Sequence, residues 1–158
     1  MTKPIVLLAF LLLSWSCLAE QQNWYFIRHF EKQQGSDPHL TETGALQAQA
    51  LVTALTNTTL SQIYSTQYKR TLESAAPLAA ERGLDITLYD PAQLTLLAEQ
   101  ISQQNNVLVV GHSNTTAQII RLMGGQLADL TEADYGQLFI LTKEDSHTKL
   151  SVQKIALK

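Results

Sequence analysis

The run Asn23-Trp24-Tyr25-Phe26-Ile27 gives way abruptly to Arg28-His29-Phe30-Glu31-Lys32. Four apolar or aromatic residues in succession predict a strand buried on both faces, which belongs inside an open α/β sheet. Such sheets place ligands beyond the carboxyl ends of their strands, where Arg28 and His29 would stand. A second segment ends in the same way. Val107–Val110 is apolar throughout and runs into Gly111-His112-Ser113-Asn114. If these two strands are neighbours, His29 and His112 face one crevice.

The chain between and beyond them alternates strand and helix signals. Gln33–Leu40 reads as a loop, marked by Gly35 and Asp37-Pro38. Thr41 is a helix cap for Glu42–Leu55, with Ala45, Ala48, Leu51, Val52 and Leu55 along one face. Gly44 in its first turn has no helical rationale, and close approach of a neighbouring backbone would supply one. Gln62–Ser65 is a short strand. Ser65 or Thr66 then caps a helix over Gln67–Arg82 that contains Pro77 and stops at Gly83. Asp85–Tyr89 is a third strand. Asp90-Pro91-x-Gln93 reads as a cap with Pro at the first helical position, opening a helix to Gln103. A further helix spans Thr115–Met123, and segments around Leu138–Thr142 and Leu150–Ile155 form a hairpin at a sheet edge. The expected fold is α/β: a three-layer sandwich with a parallel-dominated mixed sheet, helices on both faces and a C-terminal edge hairpin.

The N-terminus has the pattern of a targeting segment. Lys3 precedes the apolar run Ile5–Leu13, and Cys17-Leu18-Ala19 resembles a small-x-small cleavage site, so residues 1–19 read as a signal peptide. The run is shorter than the ~20 residues of a spanning helix. Residues 20–158 are then a single exported domain, periplasmic or secreted, with no stable membrane span. Cys17 is the chain's only cysteine, and its lipidation is the alternative. After cleavage no thiol remains for a disulfide or a zinc-thiolate site. A formal charge of -3 and the absence of a basic stripe argue against nucleic acid as a partner.

Arg28 and Arg70 near two histidines suit a phosphoryl group, because guanidinium forks pair with its oxygens bidentately and keep their charge. A neutral imidazole can attack phosphorus and carry the group as phosphohistidine until water removes it. His29 is the expected nucleophile, with a pKa depressed by the flanking arginines, and His112 a donor to a phosphoryl oxygen. No metal or other cofactor is required. The partner is a small phosphorylated substrate or a phosphoprotein.

Four motifs occur in order: Arg28-His29-Phe30-Glu31-Lys32, Leu40-Thr41-x-x-Gly44-x-x-Gln47-Ala48, Ser65-x-x-x-x-Arg70-Thr71 and Gly111-His112-Ser113-Asn114. Together they resemble the histidine phosphatase superfamily, the phosphoglycerate mutase-like fold, from Trp24 to about Gly125. The resemblance implies His29 as phosphorylated nucleophile, Arg28, Arg70 and His112 as the phosphate pocket, Thr41–Gly44 as support, and Glu31 as a residue orienting the arginines. Phe30 stands where many members have a small residue, which predicts an altered pocket floor. The family's phosphatases and mutases also use an acid to protonate the leaving oxygen, and Asp90 is placed either for that role or only as a cap. Members acting on phosphohistidine can dispense with the acid, since imidazole leaves more readily than an alkoxide.

The expected activity is thus metal-independent hydrolysis of a phosphomonoester through His29. The alternatives are a phosphohistidine protein phosphatase of the same fold and a non-catalytic phosphate-binding relative. A different enzyme class is a serine hydrolase, because Gly111-His112-Ser113-Asn114-Thr115 nearly spells a nucleophile elbow, with Asp134 and His147 following in order.

Overall fold

The structure is a computed structural model that describes residues 21–157. The signal peptide expected over residues 1–19, and Cys17 with it, lie outside the described residues. Within them, six strands and four helices succeed one another as β1 (Gln22–Arg28), α1 (Glu42–Ala54), β2 (Gln62–Ser65), α2 (Lys69–Arg82), β3 (Ile86–Leu88), α3 (Leu94–Ser102), β4 (Val107–Gly111), α4 (Ser113–Leu122), β5 (Gln137–Glu144) and β6 (His147–Lys154). The sheet order is β3-β2-β4-β1-β5-β6. β3, β2, β4 and β1 run parallel, and the β5–β6 hairpin is antiparallel at one edge, with β5 paired to β1.

Period-2 alternation along the strands divides the core into two. Tyr25, Ile27, Ile63, Leu108 and Val110 face one side, where they meet Leu51 and Leu55 of α1 and its C-cap and Ala75 and Leu78 of α2. Trp24, Phe26, Tyr64, Val107 and Val109 face the other, against Leu97 and Ile101 of α3 and Ile119 and Ile120 of α4. β1 and β4 are therefore covered on both sides, which is why each reads as a continuous apolar run. Burial of each such Phe or Ile side chain contributes about 1.5–3 kcal/mol. The Trp24 indole N–H is satisfied by Ile101 O at 2.8 Å.

The expected sandwich and edge hairpin are present, and local details differ. Ala45 is exposed, and the inner face of α1 is instead Gly44, Gln47, Ala48 and Leu51. α2 begins two residues later than its sequence suggests, with Tyr68 at the cap and no side-chain cap bond. Ser65 and Thr66 turn inward instead: Ser65 donates to Thr66 O, and Thr66 bonds Thr71 and His112. Asp90 caps a turn rather than a helix. Its Oδ1 accepts from Ala92 N at 2.9 Å, and α3 starts only at Leu94, after Gln93.

Gly44 does mark a close approach. A Cβ there would lie 2.0 Å from Glu31 O. Thr41 N donates to that same carbonyl at 3.0 Å, and the Thr41 hydroxyl donates to the Glu31 carboxylate at 2.7 Å. The start of α1 is thereby fastened two residues beyond His29.

Candidate active site

β1 and β4 are parallel neighbours in register, with Arg28 opposite Gly111. His29 and His112 come next after those two positions, so the register alone sets the imidazoles side by side. Their ring centroids are 5.6 Å apart. His29 N donates to Gly111 O at 2.8 Å, extending the ladder one residue past the strand.

The His29 ring is 3% exposed, and its Nδ1 lies 2.8 Å from Phe30 O. A carbonyl can only accept, so Nδ1 carries the hydrogen and Nε2 keeps its lone pair. Burial lowers the His29 pKa to about 3; Arg28, His112 and Arg70 push the same way, against the Phe30 carbonyl. The arginines depress the pKa as expected, and desolvation is the larger cause. The ring is neutral at physiological pH with a free Nε2, the state a nucleophile needs.

The proton on His112 is fixed by its neighbours. The Thr71 hydroxyl donates to the carbonyls of Thr66 and Tyr68. Thr71 Oγ1 must then accept from Thr66 Oγ1, 2.9 Å away. Thr66 Oγ1 has no hydrogen left for His112, so it accepts from His112 Nε2–H at 2.9 Å. The other ring nitrogen agrees: Nδ1 accepts from Arg70 at 3.3 Å, and a guanidinium can only donate. In this arrangement an N–H for a phosphoryl oxygen requires a second proton on the ring. Burial, then Arg70 and Arg28, lowers the His112 pKa to about 4.

Arg28 is 7% exposed and held by Thr131 O and by the Tyr135 hydroxyl at 3.1 Å, with its guanidinium 4.3 Å from the Tyr135 ring centre. Arg70, in the first turn of α2, lies over the Tyr68 ring at 4.5 Å and 3.7 Å from Asp37. The Nε atoms of both arginines are buried without a partner, two donors left for an anion. A cavity of about 560 Å³ opens here, lined among others by Arg28, His29, Lys32, Arg70 and His112. Three cationic side chains line it and no carboxylate does. The N-terminus of α4, at Ser113–Thr115, adds backbone donors at the same edge.

All four candidate residues, Arg28, His29, Arg70 and His112, are brought to this one cavity. Asp90 is not among its lining residues; it rims an adjoining cavity, while Pro91 borders both and Ala92 the first. Glu31 does not pair with the arginines, its carboxylate being taken by Thr41. Phe30 does not form the pocket floor. Its side chain is fully buried in the core between β1 and α1–α2, and only its backbone serves the site, through its carbonyl on His29 and its N–H on Ser74. The serine-hydrolase triad does not assemble. His147 pairs with Glu144 at the hairpin turn, beside the start of β1, whereas Ser113 comes after the end of β4, at the opposite end of the strands. Asp134 is occupied by Thr131.

Three contributors escape sequence reasoning. Tyr135 and Thr131 sit in an irregular stretch without periodicity, and Thr66 reads as a cap because a hydroxyl before a helix usually is one. Among the described residues no group of three His, Cys, Asp or Glu side chains is placed to hold a metal ion, and no helix is long and apolar enough to cross a membrane.

The family model "Histidine phosphatase superfamily (branch 1)" matches residues 24–94, a stretch that includes Arg28, His29, Arg70 and Asp90. No protein of curated function matches the chain. Solved structures share its fold at low identity. Mycobacterial glucosyl-3-phosphoglycerate phosphatase superposes with a TM-score of 0.67 at 14% identity, over 87% of this chain and 100% of that one. The α-ribazole phosphatase of Shigella flexneri gives 0.65 at 16%, over 86% and 99%. The protein histidine phosphatase SixA complexed with tungstate gives 0.67 at 13%, over 84% and 96%. Residues 24–94 thus match the histidine phosphatase superfamily, and the described chain as a whole shares the fold of these phosphatases.

Proposed function

We propose that the protein is a metal-independent phosphatase that hydrolyses phosphomonoesters through a phosphohistidine at His29. The observation that carries this reading is a buried imidazole with an unprotonated Nε2 set among Arg28, Arg70 and His112, both arginines having an unpartnered Nε. His29 Nε2 attacks phosphorus in line; the N–P bond forms as the ester P–O bond breaks, and the leaving oxygen takes a proton from solvent water. Water then attacks the phosphohistidine; its P–O bond forms as the N–P bond breaks, a proton returns to solvent, and inorganic phosphate and the neutral imidazole are released. The arginines stabilise charge on the phosphoryl oxygens, the main requirement of such transfers.

A second reading, phosphohistidine in a protein as substrate, is favoured by the lack of a carboxylate in the lining of the phosphoryl cavity. An imidazole leaves without the proton donor that an alkoxide needs. We also place the mature protein outside the cytoplasm, with cleavage after Ala19; the intact mass of protein from the exported fraction checks this.

The decisive test is hydrolysis of an aryl phosphate in the presence of EDTA. Native protein and Ser113→Ala should turn it over and accumulate an acid-labile phosphoenzyme, and His29→Ala should do neither. Turnover retained in His29→Ala, or lost on chelation, would remove the reading.

A further inference from the structure

A second cavity of about 570 Å³ adjoins the phosphoryl pocket and shares Tyr68 and Pro91 with it. Its remaining lining is Gln67, Leu88, Tyr89 and Asp90. The two halves differ in chemistry. The first gathers Arg28, Arg70, Lys32 and both histidines, whereas the second has no cationic side chain and is walled by Tyr68, Tyr89, Leu88 and Pro91 together with the polar Gln67 and Asp90. Two of those groups are large and open to solvent: Tyr68 is 39% exposed and Leu88 50% exposed.

Neither is exposed for want of structure around it. Tyr68 is fixed edge-on against the His112 ring at 5.1 Å and beneath the Arg70 guanidinium. Leu88 ends β3 in register with Ser65. A rigid aromatic ring therefore forms the boundary between the anion-binding half and a half that offers aromatic and aliphatic contact beside two polar side chains. A pocket of this size that combines aromatic and aliphatic walls with a few polar groups suits a small-molecule group. Once a phosphoryl group is bound among the arginines, only its ester oxygen and the carbon skeleton of the alcohol remain to be placed, and this chamber opens directly beside it.

We propose that this second cavity is the leaving-group subsite, selecting phosphomonoesters whose alcohol carries an aromatic or similarly flat apolar group. The proposal rests on the phosphatase reading for its name but not for its measurement. Tyr68, Leu88 and Pro91 supply the apolar contact. The Asp90 carboxylate and Gln67 amide at the rim favour a neutral or donor-bearing group and disfavour an anionic one.

Binding separates the two ideas, because phosphonates cannot be hydrolysed. Affinities of benzylphosphonate and methylphosphonate are measured by calorimetry for native protein and for Leu88→Ala, an exposed edge position whose fold is checked by circular dichroism. Kinetics on benzyl and methyl phosphate, whose alcohols are of similar acidity, run in parallel. The expected result is a preference for the benzyl ligand of about tenfold in native protein, reduced to about threefold or less in Leu88→Ala, with methylphosphonate affinity unchanged. Equal affinities in native protein, no binding of either ligand, or a preference untouched by Leu88→Ala would overturn the subsite. A benzyl preference in binding without turnover of either ester would leave the subsite standing and remove the phosphomonoester reading instead.

Discussion

Gly44→Ala sets two effects of opposite sign against each other. Within a helix, Ala is favoured over Gly by about 0.8–1 kcal/mol, so propensity alone predicts a more stable protein. Against this, the added Cβ would stand 2.0 Å from Glu31 O, 3.0 Å from its C and 3.2 Å from its N. Ordinary contact begins near 3.4 Å, so the two backbones must separate by roughly 1.4 Å in an interior packed too tightly to absorb it. Overpacking typically costs about 1–3 kcal/mol, and a clash with backbone has no rotamer through which to relax. Separation also strains the bonds from Thr41 N to Glu31 O and from Glu31 N to Gln47 Oε1, each worth about 0.5–1.5 kcal/mol. The net expectation is a loss of about 2–4 kcal/mol. At roughly 3–4 °C per kcal/mol for a domain of this size, Tm should fall by about 6–16 °C in calorimetry. Activity should fall as well, since Glu31 lies two residues from His29. A Tm equal to or above that of the native protein would refute the close-approach argument and leave Gly44 as a helix residue of no structural consequence.

Thr66→Val keeps the side-chain shape but leaves His112 Nε2–H without an acceptor; kcat/KM should drop by about 2–13-fold, the value of one hydrogen bond, and Thr66→Ser should restore it. Equal rates in Thr66→Val would mean that the hydroxyl chain does not orient the ring. The pKa of His29 is about 3 when folded against 6.5 for the free side chain, so the unfolded chain binds the extra proton first. Stability should therefore fall as pH drops from about 6.5 towards 3 and be fully present above 6.5; urea midpoints should show a shallower slope in His29→Gln than in the native protein. For Asp90→Asn, turnover of an alkyl phosphate should be compared with that of phosphohistidine. Because its carboxylate is bound to Ala92 N and outside the phosphoryl cavity, both activities should survive within a few-fold, and selective loss on the alkyl ester would instead make it the proton donor.

Much of this protein is legible in the chain because buried parallel strands impose a pattern that local sequence cannot hide. Trp24–Ile27 and Val107–Val110 must be apolar on both faces to lie between two helical layers, and each apolar run stops at the carboxyl edge of the sheet, so His29 and His112 are marked by what precedes them. Arg70 is marked by its place at a helix start. Gly44 advertised a close approach, since nothing local accounts for it. Other features depend on partners distant in sequence, and so left no local trace. Register between β1 and β4 decides that the two imidazoles meet. Desolvation, a property of the packed layers, sets the His29 pKa more than the arginines beside it. Thr66, Tyr135 and Thr131 join the site only because folding carries them to His112 and Arg28. Composition and periodicity determined the layers and the strand ends, because burial acts on each residue singly. The tertiary structure decided which nitrogen holds each proton, because a hydrogen bond needs both its ends.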